Sequence, residues 1–317
     1  MSERLRWVQR WSSVATAWYL GERPTAAGII AGGMAAVSVE EAFAYCEART
    51  KAHYENFPVG LFVPRARRPY VYALYAFARA ADDFADEPIY EGLRRQKLDD
   101  WERLLEKACR GEAVGPIFVA LGETVRRFAI PRQLLLDLLS AFRQDTEKTR
   151  YASWEELLDY CRRSANPVGR LVLLVFEQPG DDLPPLSDAI CTALQLANHW
   201  QDAAIDHARG RVYVPEDLML RHGVSGFDLS RGRVSEGWRG LMAELIGRTR
   251  ELFEKGRPLC DRVSRELRFE MRLTWLGGSS ILDRIEAVGG DVFQRRPRHS
   301  ALDKAALAWR AWRWRAA

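Results

Sequence analysis

Four aspartates carry the chemical promise of this sequence. Asp82 and Asp86 stand one helical turn apart in VYALYAFARAADDFADE, and Asp202 and Asp206 repeat the spacing in DAICTALQLANHWQDAAID. At 3.6 residues per turn, Tyr75, Arg79, Asp82 and Asp86, spaced 4, 3 and 4 apart, share one helical face. Gln195, Asn198, Asp202 and Asp206, spaced 3, 4 and 4 apart, do the same about 120 residues later. Around both stripes the residues are apolar, among them Leu74, Phe77, Ala81 and Phe84 in the first and Leu194, Leu196, Trp200 and Ala203 in the second. A solvated surface helix shows the reverse proportion, so these helices are expected to be buried and to present a narrow polar stripe to a polar cavity.

Buried carboxylates need compensating charge, because an isolated buried ion costs many kcal/mol. The first stripe carries Arg79, and the second carries no basic residue. A divalent magnesium ion would supply the missing charge. It favours carboxylate and amide oxygens and keeps waters and substrate phosphates as its other ligands. Asn198 adds a neutral oxygen to the second set. Magnesium on a diphosphate would stabilise a leaving group, which makes carbon–oxygen ionisation a natural reaction for such a site. A lone DxxxD is ordinarily a solvated surface feature; two of them on apolar helices point to the metal. Asp83 and Glu87 lie off the first stripe, and Glu87 reads as a helix-end charge because Pro88 follows it.

The elements that must position these stripes are helices. Ser38 and Glu41 form a capping box ahead of EAFAYCEARTKAHYENF, and Ser153 and Glu156 form another ahead of Leu157, Leu158 and Cys161. Apolar residues recur at helical spacing over Val71–Asp86, Leu98–Ala108, Gln133–Phe142, Ser187–Asp206, Gly237–Phe253 and Arg262–Val288. Strand-like alternation and hairpin dipeptides are missing. The breaks are short and marked by proline or glycine, and no linker or repeat divides the chain. The expectation is one all-α catalytic domain over 38–300, preceded by an extension over 1–37 and followed by a basic, aromatic tail over 301–317.

Bulk properties remove other classes. The chain has 317 residues, enough for a large core, and 47% hydrophobic with 28% charged residues is an ordinary globular balance. A net charge of +4 is too small to imply a nucleic-acid partner. Cys46, Cys109, Cys161, Cys191 and Cys260 are scattered, without CxxC, and read as buried thiols in a reducing compartment. Nothing approaches the roughly 20 apolar residues of a membrane span; AAGIIAGGMAAV at 26–37 is short and glycine-rich, and a cytoplasmic location is expected. There is no GxGxxG after a strand, no GxxxxGK[ST], no HExxH and no GxSxG, so no nucleotide cofactor is indicated.

The segments YAFARAADDFADE and QLANHWQDAAIDHARGRVYVP resemble the two aspartate-rich motifs of the squalene/phytoene synthase family. HYENFPVG at 53–60, YCRRSANPVGR at 160–170 and DVFQRRPR at 291–298 extend the likeness over most of the chain, and HYENFP, SANPVGR and NxWQD look most like the hydroxysqualene synthase branch of bacterial hopanoid biosynthesis. The resemblance implies an isoprenoid synthase fold, a helical bundle around a deep apolar cavity. It implies magnesium on Asp82, Asp86, Asn198 and Asp202, with Asp206 as a further acidic ligand or as a partner that supports the ligands. It places His53, Tyr75, Arg79 and Gln195 around the diphosphate, and Tyr160 with the SANPVG turn beside the reacting carbons. Pro167 has two readings, a kink that frees a backbone carbonyl at a cation site and a simple bend.

Gln201 departs from the arginine that coupling enzymes of the family generally carry before the second motif's first aspartate. Tyr54, Glu55 and Asn56 depart from the basic and hydroxyl residues that follow the family histidine. Fewer cationic contacts suit one diphosphate better than two. The expected reaction is therefore ionisation of presqualene diphosphate, rearrangement of the cation among aromatic ring faces and capture by water as hydroxysqualene, without a reductant. The alternatives are coupling of two prenyl diphosphates by a squalene, presqualene diphosphate or phytoene synthase, and a non-catalytic lipid-binding or assembly factor. For the tail AWRAWRWRAA two readings stand: a peripheral contact with the inner face of the cytoplasmic membrane, or Trp309 and Trp312 packed back onto the domain.

Overall fold

The structure, a computed structural model, describes residues 37–52 and 63–315. His53, the HYENFPVG segment and residues 26–36 of the glycine-rich stretch lie outside the described residues. Among the described residues the fold is all-α, with one isolated bridge between Arg150 and Val212 and no strand. The chain groups into two compact units, residues 1–146 and 147–317, where the sequence marks no linker.

The first unit holds α1 (Val39–Ala52), α2 (Arg68–Asp86), α3 (Arg94–Cys109), α4 (Pro116–Arg127) and α5 (Arg132–Glu147, which runs one residue past the boundary). The Ser38 box forms as expected: Ser38 N–H donates to Glu41 Oε2 at 2.9 Å and Glu41 N–H donates to Ser38 Oγ at 3.2 Å. Proline in the first turn starts α2, where its missing N–H costs no helical bond. At the other end Glu87 takes an extended backbone ahead of Pro88, as the steric demand of proline requires. Helix α2 packs against α1, α3 and α4. Phe77 stacks on Trp101 at 6.1 Å and meets Phe118 edge-on at 6.2 Å, while Trp101 Nε1 donates to the Phe77 carbonyl. These aromatic contacts fix the rotation of α2 and so the direction of its acidic stripe. Helix α4 was not among the segments singled out by periodicity; Gly115 and Pro116 start it, and Ile117, Phe118, Ala120 and Leu121 are buried.

The second unit comprises α6 (Trp154–Ser164), α7 (Asn166–Val175), α8 (Leu183–His207), α9 (Glu216–Arg221), α10 (Gly226–Arg231), α11 (Glu236–Gly256), α12 (Leu259–Arg262), α13 (Arg265–Ala287) and α14 (Ala301–Trp312). Helix α8 is its centre, packed against α6, α7, α10, α11, α12 and α13. Trp200 is fully buried there and its indole N–H donates to Thr249 Oγ1 on α11 at 2.9 Å. Close approach needs small residues. A Cβ added to Gly278 of α13 would stand 2.4 Å from Leu194 and 2.6 Å from Phe253, and one on Gly169 of α7 would meet Ser187 Oγ at 2.3 Å.

Three sequence expectations change here. The Ser153 cap forms, but Glu156 reaches the Ala152 N–H at 2.6 Å and Lys148, so the box is only half reciprocal. Pro167 neither kinks nor bends one long helix: α6 ends at Ser164, α7 begins at Asn166, and the proline occupies the first turn of the new helix. Part of the 301–317 tail is helical: α14 packs on α13 through Leu307 and Ala311, with Trp314 beside Trp275. Trp309 and Trp312 are not the tryptophans that pack back; both are exposed.

Candidate active site

The first acidic stripe lies on α2. Arg79 is almost wholly buried and its guanidinium reaches Asp82 at 3.2 Å and Asp83 at 2.5 Å. Arg49 of α1 reaches Asp83 as well, at 3.2 Å. Asp83 is therefore the carboxylate most fully matched by cations, and it holds Arg79 in place for Asp82. Burial raises the Asp82 carboxyl to about 8; Arg79 opposes the rise and Asp86 adds to it. Tyr75, one turn below Arg79, is buried, and burial raises its phenol so that it keeps its proton.

The second stripe lies on α8, with Gln195, Asn198, Asp202 and Asp206 all buried. The sequence offered no cation on this helix, yet one is present. Arg296, from the segment after α13, donates to both oxygens of Asp202, with Nη2 at 2.9 Å from Oδ2. The expectation that only a metal compensates this stripe is corrected for Asp202: the charge arrives from 94 residues further along the chain, where helical spacing cannot show it. Arg296 Nη2 also lies 3.4 Å from Gln201 Oε1, and the Gln201 amide donates to the Pro297 carbonyl. Gln201 thus seats the arm that carries Arg296.

Asn198 Oδ1 is buried and accepts no hydrogen bond among the described residues. An amide oxygen in that state costs about 1–3 kcal/mol unless a further partner meets it. Asp206, two turns after Asn198, is buried on the same stripe. Among the described residues no three carboxylate, imidazole or thiolate groups converge into a ready-made cage. That donor set fits magnesium, which takes one or two carboxylates and fills its octahedron with water and phosphate, and does not fit zinc.

Beside this stripe is a cluster of rings. His199 stacks on Tyr213 at 3.8 Å, and Tyr160 packs against Tyr151, Tyr213 and His199 at 5.4, 5.9 and 6.2 Å. Val212 N–H donates to the Thr149 carbonyl at 2.7 Å and Glu216 N–H to that of Tyr151 at 2.9 Å, which joins the two loops that supply Tyr151 and Tyr213. Burial lowers His199 to about 3, so the ring is neutral; its Nε2 lies 3.3 Å from Gln195 Nε2. Next to the cluster's helix α6, Asn166 Oδ1 accepts from Thr192 Oγ1 at 2.9 Å, tying the start of α7 to α8. Arg49, Arg296, Tyr151 and Tyr213 were not singled out from sequence. Arg296 and Tyr213 lie inside segments that carried the family likeness, which was the one signal available for them.

An all-α chain with two long helices, each apolar except for a narrow polar stripe bearing two aspartates, has the isoprenoid synthase fold. The squalene/phytoene synthase family matches residues 50–303, and the chain belongs to it. A hydroxysqualene synthase from Zymomonas mobilis is 39% identical over 206 residues, 63% of this chain and 68% of that protein. A 15-cis-phytoene synthase from Synechococcus elongatus is 30% identical over 275 residues, 83% of this chain and 89% of that protein. The crystal structure of a squalene synthase from Alicyclobacillus acidocaldarius, 43% identical, matches with a TM-score of 0.76 over 79% of this chain and 95% of that one.

Proposed function

We propose that this protein is a hydroxysqualene synthase, which ionises presqualene diphosphate with magnesium, lets the cation rearrange and captures it with water, giving hydroxysqualene and diphosphate. The observation that carries the reading is the buried, unsatisfied Asn198 oxygen on the same helical stripe as buried Asp202 and Asp206, in a chain 39% identical over 206 residues to a protein of that activity. When bound, magnesium draws negative charge off the departing diphosphate oxygen. On α2 Asp82 and Asp86 would hold magnesium, and on α8 Asn198, Asp202 and Asp206 would. Asp82 must shed its proton to do so, and Arg79, clamped by Asp83, stays within 3.2 Å of it to favour the ionised form.

The rings around Tyr160 suit the second half of the reaction. Aromatic faces attract positive charge, and a neutral His199 adds no cation to repel it. Tyr75, Gln195 and Gln201 serve as polar contacts and supports for the diphosphate end, and no nucleotide cofactor is needed.

A second reading has its own support: the match to phytoene synthases covers more of the chain, and the 43% identical crystal structure is that of a squalene synthase. That reading is coupling of two prenyl diphosphates. Supplying farnesyl diphosphate and presqualene diphosphate separately, with magnesium and no reductant, separates the two. Hydroxysqualene is expected only from presqualene diphosphate. Presqualene diphosphate accumulating from farnesyl diphosphate would establish coupling instead.

A further inference from the structure

Helix α14 has two apolar stripes, and only one of them is used by the fold. Leu307 and Ala311, four apart, are buried against α13, and Trp314 continues that side. Leu302, Ala305, Trp309 and Trp312, spaced 3, 4 and 3 apart, form the second stripe. At ~100° per residue the two stripes lie on opposite sides of the helix. Leu302 is 83%, Trp309 56% and Trp312 69% exposed. The two indoles lean on each other at 5.0 Å, and Arg313 sits over Trp309 at 5.7 Å. Exposed Arg310, Arg313 and Arg315 follow and flank the pair. The helix's single acid, Asp303, is spent: it caps Ser300 and pairs with Arg284 at 2.5 Å.

We propose that this outer stripe of α14 docks the protein on the surface of an anionic lipid bilayer, with Trp309 and Trp312 in the headgroup region and the arginines on lipid phosphates. Charge decides the occupant. In a two-fold dimer the stripe would meet itself and oppose its own arginines, whereas anionic lipid complements them. Tryptophan flanked by arginine is the composition of an interfacial helix, and two signals, aromatic burial and basic charge, act together to give stable binding. The helix lies on the bilayer and does not cross it, since no helix among the described residues is long and apolar enough to span. Packing by Leu307 and Ala311 holds α14 to the enzyme, so a surface contact there anchors the folded unit directly.

The full chain is to be co-sedimented with vesicles of phosphatidylglycerol and phosphatidylcholine, and with phosphatidylcholine alone, at low and high salt. Binding is expected on the anionic vesicles and should weaken with salt. Trp309→Ala/Trp312→Ala and Arg310→Glu/Arg313→Glu should each reduce it roughly tenfold or more, while Trp309→Phe/Trp312→Phe keeps most of it. All substituted positions are exposed, so circular dichroism should be unchanged. Equal binding by wild type and the double-alanine variant would overturn the proposal. So would failure of the wild type to bind, or a dimer in sedimentation equilibrium that the double-alanine variant abolishes. The readout needs no turnover and therefore stands or falls apart from the assigned reaction.

Discussion

The two acidic stripes solve the same electrostatic problem in different ways. On α2 the compensating cation is local: Arg79 lies three residues before Asp82 and four before Asp83, on the same helix. On α8 it is remote, because Arg296 grips Asp202 from the far end of the second unit. The difference governs what each stripe can do without metal. Asp202 has a two-pronged ion pair of its own, while Asp82 shares Arg79 with Asp83 and burial keeps its proton on. Local compensation is soft and leaves the Asp82 carboxyl protonated. Remote compensation ties a chain segment to the site, so the same charge also contributes to folding.

The largest effects are expected from removing one carboxylate from each stripe. Asp82→Ala and Asp202→Ala should each lower magnesium-dependent diphosphate release at least ~1000-fold. Near-normal release in both would remove the metal role from both stripes. Stability should separate the same variants. Asp202→Ala leaves Arg296 buried without its partner and should cost about 3 kcal/mol in urea unfolding, whereas Asp82→Ala leaves Arg79 with Asp83 and should cost under ~1 kcal/mol. Equal losses would contradict the local and remote distinction. Combining Asp202→Asn with Arg296→Met should recover much of the lost stability without recovering turnover.

Packing around α8 gives a smaller effect. Gly278→Ala places a methyl within 2.6 Å of both Leu194 and Phe253 and should cost about 1–3 kcal/mol, measured as the drop in urea midpoint. An unchanged midpoint would mean that α8 is held less tightly than the distances indicate.

A separate expectation concerns pH. Burial raises Asp82 from an ordinary 3.8 to about 8, so between about pH 4 and pH 8 the folded chain holds a proton that the unfolded chain has lost. Stability contributed by this group therefore falls as pH rises through that window and is level above it. Asp82→Asn should remove this part of the slope, and magnesium, which competes with the proton, should flatten it in the wild type. Identical slopes for wild type and variant would show that Asp82 is not the titrating group.

Much of this was legible in the sequence because it is local. The Asp82 and Asp202 stripes, the Ser38 cap and the Pro88 stop each depend on residues within about two turns, which helical spacing reports directly. The all-α class followed from the same periodicity. What stayed hidden was non-local. Arg296 on Asp202, Gln201 on the Pro297 carbonyl and Tyr213 on His199 join segments that periodicity treats separately. Pro167 shows the converse limit: one residue, Ala165, decides between a bent helix and two helices, and spacing does not resolve so short a break.

The most direct test of the assigned chemistry is a single turnover of presqualene diphosphate with magnesium in ¹⁸O-labelled water, without reductant. Hydroxysqualene carrying ¹⁸O in its hydroxyl group is expected, with no product when magnesium is withheld. Product formed without magnesium, or hydroxysqualene with an unlabelled oxygen, would contradict the assigned chemistry.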